Sequence, residues 1–121
     1  MEHALDGWDI GHADDKEWIP WGSTGDAKAK VLATGDGYYV VLVQADPGYT
    51  GEAHEHDYTE FSYVLDGEYR TQGGTMQAGD AYVATADSVH TDFTTETGAT
   101  YLSIFKLKRA QGTTTAHETE R

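Results

Sequence analysis

The stretch Gly48-Tyr-Thr-Gly-Glu-Ala-His54-Glu-His56-Asp-Tyr-Thr-Glu60-Phe-Ser-Tyr-Val-Leu-Asp-Gly67 decides how this chain is read. His54 and His56 are two residues apart, and in an extended strand such side chains leave the same face. Both imidazoles can therefore reach one point. Glu60 stands four residues beyond His56, a gap that a straight strand would stretch to roughly 13 Å. A metal ligand sits about 2 Å from its ion. The chain must therefore turn at Asp57-Tyr58-Thr59, so that Glu60 returns on the next strand. Asp suits that turn because its side chain hydrogen-bonds local backbone. His90 follows a second glycine-marked strand, Gly79-Asp80-Ala-Tyr-Val-Ala84, and is the fourth candidate donor. A lone strand histidine is an ordinary residue. Three imidazoles and a carboxylate at this spacing suit iron, manganese, nickel, copper or zinc.

These residues resemble the cupin superfamily. Gly48, His54-x-His56, Glu60 and Gly67 fill every fixed position of its first motif, and Gly79 with His90 is similar to its second. The second motif departs from the family pattern at Thr85, Asp87 and Thr94, which stand where Pro, Gly and Asn are usual. Asp tolerates positive φ better than most residues, so Asp87 can serve in place of glycine. The resemblance implies an all-β fold: the cupin double-stranded β-helix, a jelly-roll barrel in a single domain. Within the superfamily, Trp18, the Gly25 loop, Lys30-Val-Leu32 and Val64-Leu65-Asp-Gly67-Glu68 are similar to the small group that includes acetylacetone-cleaving dioxygenases and anti-sigma-factor cupins.

Composition sets outer bounds. A chain of 121 residues holds one core. Fourteen glycines and 12% aromatic residues suit a turn-rich β protein. Cysteine is absent, which leaves His, Asp and Glu as metal ligands. The net charge of −13 repels phosphate backbones, so no nucleic-acid partner is expected, and its ordinary consequence is solubility. No apolar run is long enough to span a membrane, and Met1-Glu-His-Ala-Leu-Asp-Gly lacks the basic and apolar regions of a leader. The expected location is cytoplasmic.

Residues 1–27 read as an N-terminal arm, with Trp18-Ile-Pro-Trp21 packing on the sheet exterior or on a neighbouring subunit. Residues 28–108 read as the barrel and 109–121 as a disordered tail. Tyr38 to Ala45 is the clearest strand, apolar enough to suggest burial on both faces. Asp66-Gly67 and Gly73-Gly74 each signal a hairpin. Counting by twos from Glu60 places Ser62 and Val64 on the metal face and turns Phe61, Tyr63 and Leu65 toward packing or a dimer contact. Asp92 shares parity with His90. Tyr82 and Phe93 lie nearby in sequence, and with Ser62, Val64 and Asp92 they complete the expected substrate pocket. His3, His12 and His117 have no partner at ligand spacing, and Arg70 reads as an exposed hairpin residue.

One divalent ion on His54, His56, Glu60 and His90 would leave two positions for substrate oxygens or dioxygen. The expected function is a small-molecule dioxygenase acting on a β-diketone or a related oxygen-chelating substrate. Fe(II) is the favoured ion, with Mn, Ni and Zn as alternatives. Glu60 serves either as ligand or as catalytic base. A redox-silent isomerase or lyase, and a non-catalytic sensing cupin, are the alternative functions. The resemblance also implies a homodimer.

Overall fold

The computed structural model describes residues 6–22, 25–51, 54–55 and 58–106, residues 54 and 55 by their backbone. His3, His56, Asp57 of the expected turn, His117 and the expected tail lie outside the described residues. The fold is all-β. Its strands are β1 (Ile19–Trp21), β2 (Ala27–Gly35), β3 (Tyr38–Ala45), β4 (Thr50–Gly51), β5 (His54–Glu55), β6 (Glu60–Thr71), β7 (Gly74–Gln77), β8 (Ala81–Ala84), β9 (Val89–His90), β10 (Phe93–Thr94) and β11 (Ala99–Lys106). A curled sheet runs in the order β1-β2-β3-β11-β6-β10-β4, with β7 and β8 also paired to β6. β5 and β9 form a separate two-stranded ladder.

Turn chemistry explains the joints. Asp36 and Gly37 join β2 to β3 with φ of 52° and 85°. Gln72 and Gly73 join β6 to β7 with φ of 51° and 80°. A two-residue hairpin with both central residues at positive φ matches the twist of its flanking strands. The glycine signal at 73–74 is therefore a hairpin, with its turn one residue earlier.

Asp66-Gly67 is not a hairpin. Strand β6 runs through it, and among these two only Gly67 has positive φ, at 79°. The ladder with β11 shifts here: Thr100 pairs Asp66, but Tyr101 pairs Val64, which leaves Leu65 as the extra residue of a bulge. Past this corner β6 takes β7 and β10 as partners. A Cβ on Gly67 would collide with the carbonyl oxygen of Gly98. The close approach and the positive φ together require glycine.

The core joins Ala29, Val41, Val43, Val64, Tyr69, Phe93, Ala99, Tyr101 and Phe105. Tyr69 stacks on Phe93 at 4.3 Å and meets Tyr101 edge-on at 5.3 Å. Strand β3 is buried on one face only: Val41, Val43 and Ala45 point inward, while Val40, Leu42 and Gln44 are half-buried outside. The expectation of burial on both faces is corrected because no described layer covers the outer side. On that side two apolar rows cross four strands. Val40, Ile104, Phe61 and Val83 are paired in register, as are Leu42, Leu102, Tyr63 and Ala81.

The N-terminal segment straps β2. Asp9 Oδ2 accepts from the Thr34 N–H at 2.8 Å, and Lys30 Nζ donates to the Ala13 carbonyl at 2.8 Å. β1 extends the sheet antiparallel to β2. Trp21 turns to Phe105 at 6.2 Å. Trp18 carries the ammonium groups of Lys28 and Lys30 at 4.7 and 4.8 Å from its ring centre, a cation–π arrangement. Among the described residues, no helix is long and apolar enough to cross a membrane.

Candidate functional site

The first half of β6 alternates buried and exposed residues, so Glu60, Ser62 and Val64 face the barrel interior. Glu60 is 5% exposed. Such burial is unusual for a carboxylate, which normally stays in water unless it is paired. Ser103 stands on β11 opposite Ser62, and its hydroxyl donates to Glu60 Oε2 at 2.7 Å. A hydrogen bond to the ionised form holds the carboxylate in one orientation. Ser62 Oγ lies 3.3 Å from the Tyr69 hydroxyl, deeper in the barrel. Burial pushes the Tyr69 phenol up to about 12; the Ser62 contact opposes that shift, and the negative charges of Glu60 and Asp80 add to it.

His90 enters from β9. The turn before it spans Thr85 to Ser88, closed by the Ser88 N–H on the Thr85 carbonyl at 3.0 Å. Asp87 takes φ of 74° there, the conformation expected of it in place of glycine. His90 is 8% exposed and pairs in register with His54 of β5. Tyr82 meets the His90 ring edge-on at 6.1 Å, and Phe93 does so at 5.8 Å. His90 Nε2 lies 2.8 Å from Thr71 Oγ1.

A cavity of about 340 Å³ opens beside His90, lined among others by Thr71, Met76, Tyr82, Ser88 and Val89. Hydroxyl, amide, thioether and apolar groups line it beside the His90 ring, and among the described residues no Lys or Arg does.

The expected site residues are thus distributed as follows. Glu60, Ser62 and Val64 face the interior, with Val64 sealed in the core. Tyr82 and His90 line the cavity. Phe93 is buried in the aromatic cluster. Asp92 is exposed, and its Oδ1 accepts from the Gln72 N–H at 2.7 Å and from the Thr91 hydroxyl at 3.0 Å. The parity count from His90 does not carry to Asp92 because the chain leaves strand geometry between β9 and β10. Arg70 is exposed and reaches Thr75 across its hairpin at 3.0 Å. For His54 the backbone alone is described, and His56 lies outside the described residues. Among the described residues no group of three His, Asp or Glu side chains gathers into a metal site.

Thr71 is the site residue that counting by twos misses. From Glu60 the inward residues are even-numbered up to Val64. Beyond the bulge at Leu65 and the bend at Gly67 they are odd-numbered, Tyr69 and Thr71. Read as a bulge rather than a hairpin, Asp66-Gly67 would have announced that change of phase.

The donors fit a divalent cation. Glu60 offers a buried carboxylate, His90 a buried imidazole, and His54 stands opposite His90 in the ladder. Nitrogen and oxygen donors together suit the intermediate first-row ions.

Comparison with known proteins gives three kinds of finding. The family model described as the ChrR cupin-like domain matches residues 8–108. The pectin degradation protein KdgF of Dickeya dadantii (strain 3937) is 30% identical over 97 residues, which are 75% of this chain and 88% of that protein. Among solved structures, an RmlC-like cupin from Shewanella frigidimarina superposes with a TM-score of 0.71 at 22% identity, covering 86% of this chain and 95% of that one. An acetylacetone dioxygenase from Acinetobacter johnsonii superposes with a TM-score of 0.70 at 13% identity, covering 88% and 77%.

Proposed function

The chain belongs to the ChrR cupin-like domain family, and on that premise we propose a divalent-metal-dependent cupin enzyme that acts on a small oxygen-bearing molecule. His54, His56, Glu60 and His90 would hold the ion. Fe(II) is the favoured ion, and the reaction is dioxygenation of a neutral, oxygen-chelating substrate of the β-diketone class. When bound, the ion supplies Lewis acidity and, as iron, redox chemistry with dioxygen.

The chain's own residues do the rest. Ser103 fixes the Glu60 carboxylate, whether it binds the ion or takes a proton from substrate. Tyr82, Met76 and Val89 give the cavity apolar walls that hold a small carbon skeleton. The observation that carries the reading is the buried Glu60 and His90 in one barrel, with His90 opening on a cavity that has no Lys or Arg among its described wall residues. A carboxylate substrate is ordinarily met by Arg or Lys. A neutral diketone needs neither.

A second reading has its own support. The 30% identity to a pectin degradation protein favours redox-silent Lewis-acid chemistry on a sugar acid. Elemental analysis of protein purified without oxygen or added metal separates the two. Near-stoichiometric iron with oxygen uptake on acetylacetone supports dioxygenation. Zinc, manganese or nickel, with turnover of a pectin-derived sugar acid and no oxygen uptake, replaces it with the second reading. No metal after reconstitution overturns both.

The partner proposed for the outer face is a second copy of the chain. The eight residues of the two apolar rows carry no charge, in a chain whose net charge is −13. Two copies repel over most of their surface, and this face is where they can approach. Tyr63 and Phe61, 46% and 43% exposed, supply the aromatic contact typical of an interface centre.

A further inference from the structure

We propose that Gln72 is a positioning residue: its side-chain carbonyl stands in for a missing strand neighbour and fixes the segment that carries His90 against the barrel. This rests on the metal reading given above. His90 ends a two-residue strand, β9, whose ladder with β5 stands apart from the main sheet. The chain joins β6 only at Phe93, opposite Thr71. Thr91 and Asp92 bridge the interval. The backbone of β6 does not continue alongside them, because it turns into β7 at Gln72 and Gly73.

Side chains supply what the turned backbone does not. Gln72 Oε1 accepts from the Thr91 N–H at 2.6 Å, a bond that a neighbouring strand's carbonyl would otherwise make. That N–H can only donate, so the atom facing it is the amide oxygen and not the amide nitrogen. In return the Gln72 N–H donates to Asp92 Oδ1 at 2.7 Å. The Thr91 hydroxyl stands 3.0 Å from both Gln72 Oε1 and Asp92 Oδ1, and its one proton serves either. The Thr71 hydroxyl donates to the Asp92 carbonyl at 2.6 Å. The two residues that follow His90 are thus tied to Thr71 and Gln72, where β6 ends and its turn begins.

The backbone of Gln72 points the same way. Its φ of 51° lies in the left-handed region, where Gly, Asn and Asp are the ordinary choices for a two-residue hairpin. Glutamine is an unfavourable residue for that turn. Gln72 is also exposed, so burial does not require it. What the position uses is the length of the side chain. Asn carries the same amide one methylene shorter, which draws the oxygen back from Thr91. Gln72 lines the cavity beside His90, so the same residue places the imidazole and part of the wall.

The test compares Gln72→Asn with Gln72→Glu in the full chain, by amide hydrogen exchange without metal and by Co(II) titration. A residue serving the turn alone predicts that Asn matches or improves on Gln in both. Positioning predicts that Gln72→Asn opens the Thr91 N–H to exchange and weakens Co(II) binding about 10-fold or more. Gln72→Glu has the same reach and keeps an acceptor oxygen. It should leave the Thr91 N–H protected and bind Co(II) at least as tightly as the wild type. A wild-type Thr91 amide that exchanges freely overturns the proposal, and that result needs no variant to fold. So does a Gln72→Asn chain with wild-type protection and affinity, or a Gln72→Glu chain as weak as Gln72→Asn. A wild type that protects Thr91 but binds no Co(II) sinks the metal reading. Exchange at Thr91 then decides the positioning by itself: protection lost with Asn and kept with Glu upholds it, and any other pattern overturns it.

Discussion

Inward from the first half of β6 point Glu60, Ser62 and Val64; outward point Phe61, Tyr63 and Leu65. The buried face carries a carboxylate and a hydroxyl, and the exposed face carries two aromatic rings and a leucine. This reverses the usual assignment of apolar residues to the interior. The second half of β6 shows what ordinary packing looks like in the same strand: Tyr69 is 1% exposed and stacked among Phe93 and Tyr101, with Glu68 and Arg70 outside. Of the first half, Val64 alone joins that core. The first half departs from the packing rule at Glu60 and Ser62 inside and at Phe61, Tyr63 and Leu65 outside.

The contrast is sharpest at two tyrosines. Tyr69→Ala removes a ring from the aromatic cluster and should cost about 3–5 kcal/mol in urea unfolding. Tyr63→Ala, at dilutions where the chain is monomeric, should change stability by about 0.5 kcal/mol or less. Equal losses at both positions would erase the distinction between the halves.

A second comparison uses pH. The folded state holds the Tyr69 phenol near 12 against an ordinary value of 10, so the unfolded chain releases that proton first. The contribution is whole below pH 10 and is lost as pH rises from there toward 12, by roughly 2–3 kcal/mol at the top. Tyr69→Phe should lack that extra fall between pH 10 and 12, measured as the difference between the two chemical-denaturation profiles. Identical profiles would place the Tyr69 hydroxyl in contact with water.

The smallest effect on the folded chain is expected outside. Leu102→Glu puts a carboxylate at the middle of an apolar row and should leave monomer stability within about 0.5 kcal/mol. Light scattering should then report a monomer where the wild type is a dimer. A wild type already monomeric at micromolar concentration would remove the reason given for the outer rows.

Much of this was legible in the sequence because parity is a local property. His54, Glu60 and His90 stand out by residue type and spacing, and the exposure of Phe61, Tyr63 and Leu65 follows from counting outward from Glu60. What was not legible depended on distant partners. Asp66-Gly67 carries the residues of a hairpin, but tertiary pairing with β11 holds it in a bulge, and the count beyond it slips by one. Thr71 was hidden for that reason, and Asp92 because the chain between β9 and β10 is not a strand. Trp21 read as an exterior anchor, yet its ring turns to Phe105 once β1 joins the sheet.

The bulge and the glycine corner divide β6 into two lengths whose phases are set separately. Glu60 is inherited on one length, and the hydroxyl against His90 on the other. A descendant of this chain can therefore exchange or lengthen the hairpin beyond Gly67 without rotating Glu60 out of the barrel, and each exchange brings a new neighbour to His90. Variation in chemistry among such relatives can accumulate in the hairpin while the carboxylate and its strand descend unchanged.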